Sequence, residues 1–108
     1  MSQWTHVCNQ SDLVENSGVC ALVEDKQIAL FYLPTENQVF ALANFDPFGE
    51  ANVLSRGLIA SQGEDLYVAS PLYKQHFCLR TGHCLENSEM SIQAWSARCI
   101  DGKVEISL

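Results

Sequence analysis

A chain of 108 residues makes a single domain with a real core, and 47% hydrophobic against 18% charged residues is the composition of a globular protein, not a disordered one. Thirteen acidic against six basic residues leave a net charge of −7, which repels a phosphate backbone, and no Lys/Arg run offers a local exception, so nucleic acid is excluded as a partner. No apolar stretch reaches the roughly 18 residues that cross a bilayer, and the N-terminus lacks the charged and apolar regions of a secretory signal, so a cytoplasmic protein without membrane contact is expected.

In chain order, the pattern is one of short strands. Trp4-Thr5-His6-Val7-Cys8 alternates large and polar residues and predicts a first strand at a sheet edge. Ser11 to Gly18 is polar apart from one apolar pair and reads as a connection. Within it, Asp12 followed three residues later by Glu15 allows a short capped turn but no long helix. Val19 to Val23 and Gln27 to Leu33 are apolar runs flanking Glu24-Asp25-Lys26, which predicts a hairpin. Pro34 ends the second run because it cannot donate to a ladder, and Thr35-Glu36-Asn37 turns the chain into a further strand over Gln38 to Leu42.

From Ala43 to Gly57 the period is lost among Pro47, Gly49 and Gly57, and a loop is expected, pinned to the core by Val53 and Leu54. Leu58-Ile59-Ala60 predicts a short strand before a turn at Ser61-Gln62-Gly63-Glu64, and Leu66 to Ala69 predicts another. Gln75 to Leu79 is a further strand, which Arg80-Thr81-Gly82-His83 reverses into Cys84-Leu85-Glu86. Ile92 to Ile100 and Lys103 to Leu108 flank Asp101-Gly102, the strongest hairpin signal in the chain. About nine or ten short strands and no long helix predict one all-β domain over residues 1–108, an antiparallel sandwich or barrel.

The five cysteines, Cys8, Cys20, Cys78, Cys84 and Cys99, are odd in number and lack Cys-x-x-Cys spacing, which argues against a disulfide framework. Cys8, Cys20 and Cys99 lie in apolar or alternating segments and are expected as reduced core thiols. His76, Cys78, His83 and Cys84 share one hairpin, but His83 and Cys84 are adjacent and point to opposite faces of any strand, which spoils a four-ligand zinc site. A nucleophilic Cys–His pair among them has no orienting signature. No Gly-x-Gly-x-x-Gly offers a dinucleotide site.

Ser70 to Gly82 reads Ser-Pro-Leu-Tyr-Lys-Gln-His-Phe-Cys-Leu-Arg-Thr-Gly. It resembles the ligand loop of the Rieske iron–sulfur family, Cys-Pro-x-His-Gly-x-x-Phe-x-Leu-x-Thr-Gly, at Pro71, Phe77, Leu79, Thr81 and Gly82. In that family the Cys and His of this loop, with a Cys-x-His pair upstream, hold a two-iron cluster. Here Ser70 stands for the Cys, Tyr73 for the His, and Lys74 for the first glycine. Upstream, Asn44-Phe45-Asp46-Pro47 puts Asn44 in place of Cys and Asp46 in place of His. The cluster needs two thiolates on one iron and two imidazoles on the other, and an amide or carboxylate lacks the softness to replace them. The scaffold is therefore expected to be Rieske-like, with no cofactor of its own.

Among cluster-less relatives, the chain resembles the small subunits of assimilatory NAD(P)H-dependent nitrite reductases. The resemblance rests on Trp4 to Cys8, Ala29-Leu30-Phe31-Tyr32-Leu33, Asn44 to Phe48, Val53-Leu54-Ser55-Arg56-Gly57-Leu58 and Ser70 to Gly82. It implies a partner, a large subunit carrying flavin, an iron–sulfur cluster and sirohaem that reduces nitrite to ammonium, and no catalytic centre or small-molecule site on this chain. Asn44, Asp46, Ser70 and Tyr73 are then expected to form a hydrogen-bonded plug at the tips of two loops. Arg56, Lys74 and His76, basic groups in or near those loops, are candidates for docking on carboxylates of the partner, with Arg56 foremost. The alternative is an independent binding or regulatory module on the same scaffold, or a degenerate ferredoxin component of an oxygenase.

Overall fold

The computed structural model of the chain describes residues 4–34, 38–63, 65–72 and 75–107. Strand β3 (Lys26–Leu33) pairs on one side with β2 (Ser17–Val23) and on the other with β4 (Gln38–Ala43), so that the expected three-strand meander forms. The run Ile28-Ala29-Leu30-Phe31 is unbroken in its hydrophobicity because β3 is buried on both faces. Ala29, Phe31 and Leu33 pack with Leu42, Leu54, Val68, Phe77 and Leu79. Ile28 and Leu30 face the other way, into a second cluster with Val39, Ala41, Val104 and Ile106. At ~1.5–3 kcal/mol for each fully buried Ile, Leu or Phe, this strand is the chief stabilising element of the fold.

Most of the remaining strands extend that sheet or form a second. β1 (Trp4–Asn9) sits at an edge, as the alternation predicts, and pairs with β11 (Lys103–Ser107), which pairs with β10 (Ala94–Ile100), which reaches β4; the full order is β1-β11-β10-β4-β3-β2. A smaller sheet runs β7 (Leu58–Gln62), β8 (Asp65–Ala69), β9 (His76–Cys78), all antiparallel. The domain is all-β, with two 3-10 turns as its only helical residues among those described. None of the described residues form a helix long and apolar enough to cross a membrane.

The β2–β3 and β10–β11 hairpins are two-residue turns with positive φ at each central position: 48° and 67° at Glu24 and Asp25, 52° and 76° at Asp101 and Gly102. That geometry matches the twist of the flanking strands. It also places Lys26, expected in the turn, at the start of β3.

Several expectations are corrected. The short capped turn is a 3-10 turn over Gln10–Asp12, and its acidic group closes backwards: the Asn9 backbone N–H donates to Asp12 Oδ2 at 3.0 Å, with no part for Glu15. The 44–57 loop contains a small hairpin, β5 (Phe45–Asp46) with β6 (Ala51–Asn52), and a 3-10 turn at Leu54–Arg56. Cys84 to Glu86 is not a strand; Cys84 makes only an isolated bridge to Phe77. Cys20 is not a core thiol: it lies on the edge strand β2 and is exposed, whereas Cys8 and Cys99 are half-buried and Cys84 is the buried cysteine. All five are free. The turns read at Thr35-Glu36-Asn37 and at Glu64 fall outside the described residues.

Candidate functional site

The smaller sheet and the end of β4 bring two loops together, 44–57 and 70–75. Three polar side chains are buried there, Asn44, Asp46 and Ser70, each no more than 2% exposed. A buried polar group must find partners inside the protein, and each of these does.

Asp46 is the junction. Its Oδ1 accepts from the backbone N–H groups of Phe48 at 2.9 Å and Gly49 at 3.3 Å, which closes its own loop into a tight turn. Its Oδ2 accepts from the Ser70 hydroxyl, and this bond ties one loop to the other. Ser70 Oγ in turn accepts from the Leu72 N–H at 3.3 Å. The loops also touch through backbone. A Cβ on Gly57 would overlap the carbonyl oxygen of Ala69, so only glycine lets the 44–57 loop approach the residue preceding Ser70.

Asn44 is held separately. Its Oδ1 accepts from the Ser55 N–H at 2.7 Å, and its Nδ2 donates to Gln27 Oε1 at 3.1 Å and to Cys20 Sγ at 3.5 Å. Its backbone joins Gln27 and Leu54 at 3.1 and 3.0 Å. The expected single plug is therefore two devices: an Asp46–Ser70 clasp between the loops, and an Asn44 anchor fixing the first loop to β2 and β3. Gln27 and Ser55 were not read as site residues in the sequence, and Cys20 was read only as a core thiol. Only the alternation of β3, which turns Gln27 and Ala29 to the same face, hints at the first of them.

Tyr73 and Lys74 lie outside the described residues. Arg56 is exposed at the end of the 3-10 turn, with no ion pair among the described residues. His76 is half-buried and already engaged: its backbone N–H donates to Glu86 Oε1 at 2.8 Å and its Nδ1 lies 2.7 Å from Oε2. Burial raises the Glu86 carboxyl, but the hydrogen bonds from the His76 backbone and ring outweigh it and hold the group below its ordinary value. No sequence signal marked Glu86. Among the described residues, no three His, Cys, Asp or Glu side chains are grouped to hold a metal ion.

Two loops presented by a small sheet against a six-stranded one, with four positions spaced as ligands, define a Rieske-type domain. Its donor set does not suit a two-iron cluster. An amide, a carboxyl and a hydroxyl stand at three of the four positions, a phenol at the fourth, and the first three spend their lone pairs on N–H and O–H donors of the protein.

Comparison with known proteins agrees. The Rieske-like [2Fe-2S] domain family matches residues 3–107. The nitrite reductase (NADH) small subunit of Escherichia coli strain K12 is 48% identical over 106 residues, 98% of each chain. The solution structure of the E. coli protein NirD superposes with a TM-score of 0.89 at 47% identity, covering 100% of this chain and 98% of that one. A 101-residue stretch covering 10% of the nitrite reductase [NAD(P)H] large subunit of Klebsiella oxytoca is 41% identical to 94% of this chain. The chain belongs to the Rieske-like [2Fe-2S] domain family and, within it, to the nitrite reductase small subunits.

Proposed function

We propose that this chain is a cofactor-free small subunit of a cytoplasmic NAD(P)H-dependent nitrite reductase, supporting a large subunit that reduces nitrite to ammonium with its own flavin, iron–sulfur cluster and sirohaem. The observation that carries the reading is the near full-length similarity to a nitrite reductase small subunit. The Klebsiella oxytoca large subunit adds to it, because a stretch like this chain lies within the same polypeptide as the rest of that subunit. Such fusion is what a domain working beside a large subunit permits.

The cofactor-free half of the reading is supported by the clasp. Asp46 and Ser70 bond to each other across the gap that a cluster bridges in ligand-bearing relatives, so the loops are joined by oxygen and hydrogen in place of iron and sulfide. The chain then contributes shape and contact, not a redox step. Arg56 is the docking residue of choice, being exposed and suited to a carboxylate fork. Phe45 and Leu72, one on each loop, are large apolar side chains left in solvent nearby in sequence to the clasp. His76 is less suited than Arg56, since Glu86 already occupies it.

Co-expression with the large subunit, followed by size-exclusion chromatography, tests the reading. The two chains are expected to elute together. Separate elution at micromolar concentration contradicts it.

A further inference from the structure

The six-stranded sheet comes apart at one end. Among the described residues, β4 and β10 pair only at Ala41↔Trp95 and Leu42↔Ala94. Continued in register, that ladder would match Phe40 with Ser96, Val39 with Ala97 and Gln38 with Arg98. These same residues instead line the walls of an open groove of about 500 Å3. Gln38 is six residues from Asn44, so at ~3.3 Å per residue the groove lies roughly 20 Å along β4 from the loop clasp.

Backbone groups point into the groove from both walls. In an antiparallel pair, alternate residues turn both N–H and C=O to the same neighbour. The Asp101-Gly102 hairpin makes Ile100 and Lys103 a bonded pair, so Arg98 and Ser96 also turn toward β11, while Cys99 and Ala97 turn toward the groove. On the other wall Val39, two residues before Ala41, does the same. Unpaired strand edges of this kind accept an added strand.

The groove is basic on an acidic protein. It holds Arg80 and Arg98, two of the six Lys and Arg residues in a chain of net charge −7. The Arg80 guanidinium lies 5.6 Å from the centre of the Phe40 ring and has no ion pair among the described residues. Arg98 stacks 4.1 Å from the Trp4 ring and donates through Nε to Glu105 at 2.7 Å, which leaves its terminal nitrogens for another acceptor. Gln38 Oε1 is buried and receives no hydrogen bond among the described residues. A free anion would satisfy the arginines alone; an extended peptide satisfies the arginines, the open strand edges and the orphaned amide oxygen together.

We propose that this groove receives an extended, acidic segment of the large subunit, added as a strand between β4 and β10 with its carboxylates on Arg80 and Arg98. The inference rests on the subunit reading above and goes further, naming the surface and the chemistry of what fills it. It is tested on the complex of the full chain with the large subunit by amide hydrogen exchange and by binding of the Arg80→Glu variant. Segments 38–40 and 96–99 are expected to exchange about tenfold or more slowly in the complex, and Arg80→Glu to weaken binding about tenfold or more, with its melting temperature unchanged. A wild-type complex with unchanged exchange in those segments, or an Arg80→Glu variant that binds as wild type, overturns the groove proposal and leaves the subunit reading standing. A wild-type chain that forms no complex overturns both.

Discussion

Ser70 and Asp46 show how a ligand position becomes a structural one. A hydroxyl and a carboxyl, each buried, exchange a hydrogen bond across two loops, and the remaining carboxyl oxygen closes a turn. Ser70→Ala leaves Asp46 Oδ2 and the Leu72 N–H without this partner, and is expected to destabilise the fold by about 1–3 kcal/mol, read as a lower urea midpoint with an unchanged slope. An unchanged midpoint contradicts the clasp. The cysteines offer a second check at this scale. Cys20 is exposed while burial, with Asp12 and Cys99 adding to it, pushes the Cys8 thiol up. Iodoacetamide is therefore expected to label Cys20 before Cys8, with buried Cys84 last, as followed by peptide mass spectrometry. Glu86 gives a pH dependence. Its folded value is depressed, so the stability it contributes is present above the ordinary glutamate value and is lost as pH falls through the folded one. The stability gap between wild type and Glu86→Gln is expected at pH 7 and to shrink below about pH 4 in matched denaturant titrations.

Strands and turns differ in how openly the sequence displays them. β3 is legible because burial on both faces demands a continuous apolar run, and the Asp101-Gly102 turn because its φ values favour that dipeptide. The β5–β6 hairpin is not legible, since two residues per strand are too few for any period, and its shape comes from Asp46 bonding the N–H groups of Phe48 and Gly49. Cys20 misled for a related reason: alternation reveals that a strand has two faces, but only the sheet order shows that β2 is an edge. Of the site, the ligand spacing was visible at Asn44, Asp46 and Ser70, whereas the partners Gln27, Ser55 and Glu86 are brought in by tertiary folding, and only the alternation of β3 hints at Gln27. Two substitutions act at this scale. Asp25→Gly places glycine at a φ of 67° and is expected to stabilise the hairpin by about 0.5–1 kcal/mol. Gly57→Ala drives a Cβ into the Ala69 carbonyl and is expected to cost about 1–3 kcal/mol, seen as a fall in melting temperature.

At the scale of the molecule, two surfaces stand out at opposite ends of β4. One is the closed pair of loops, with Arg56 beyond them; the other is the parted sheet edge carrying Arg80 and Arg98. On the proposed reading, the domain carries no electrons itself, because it lacks thiolate and imidazole at its ligand positions, and acts as an acidic body docked on a larger enzyme. That account is tested most directly by titrating the iron-free chain into its large subunit and following nitrite-dependent NAD(P)H oxidation. The rate is expected to rise and saturate while the chain stays colourless. A rate that does not respond, or that responds only after iron and sulfide have been bound by the small chain, would contradict it.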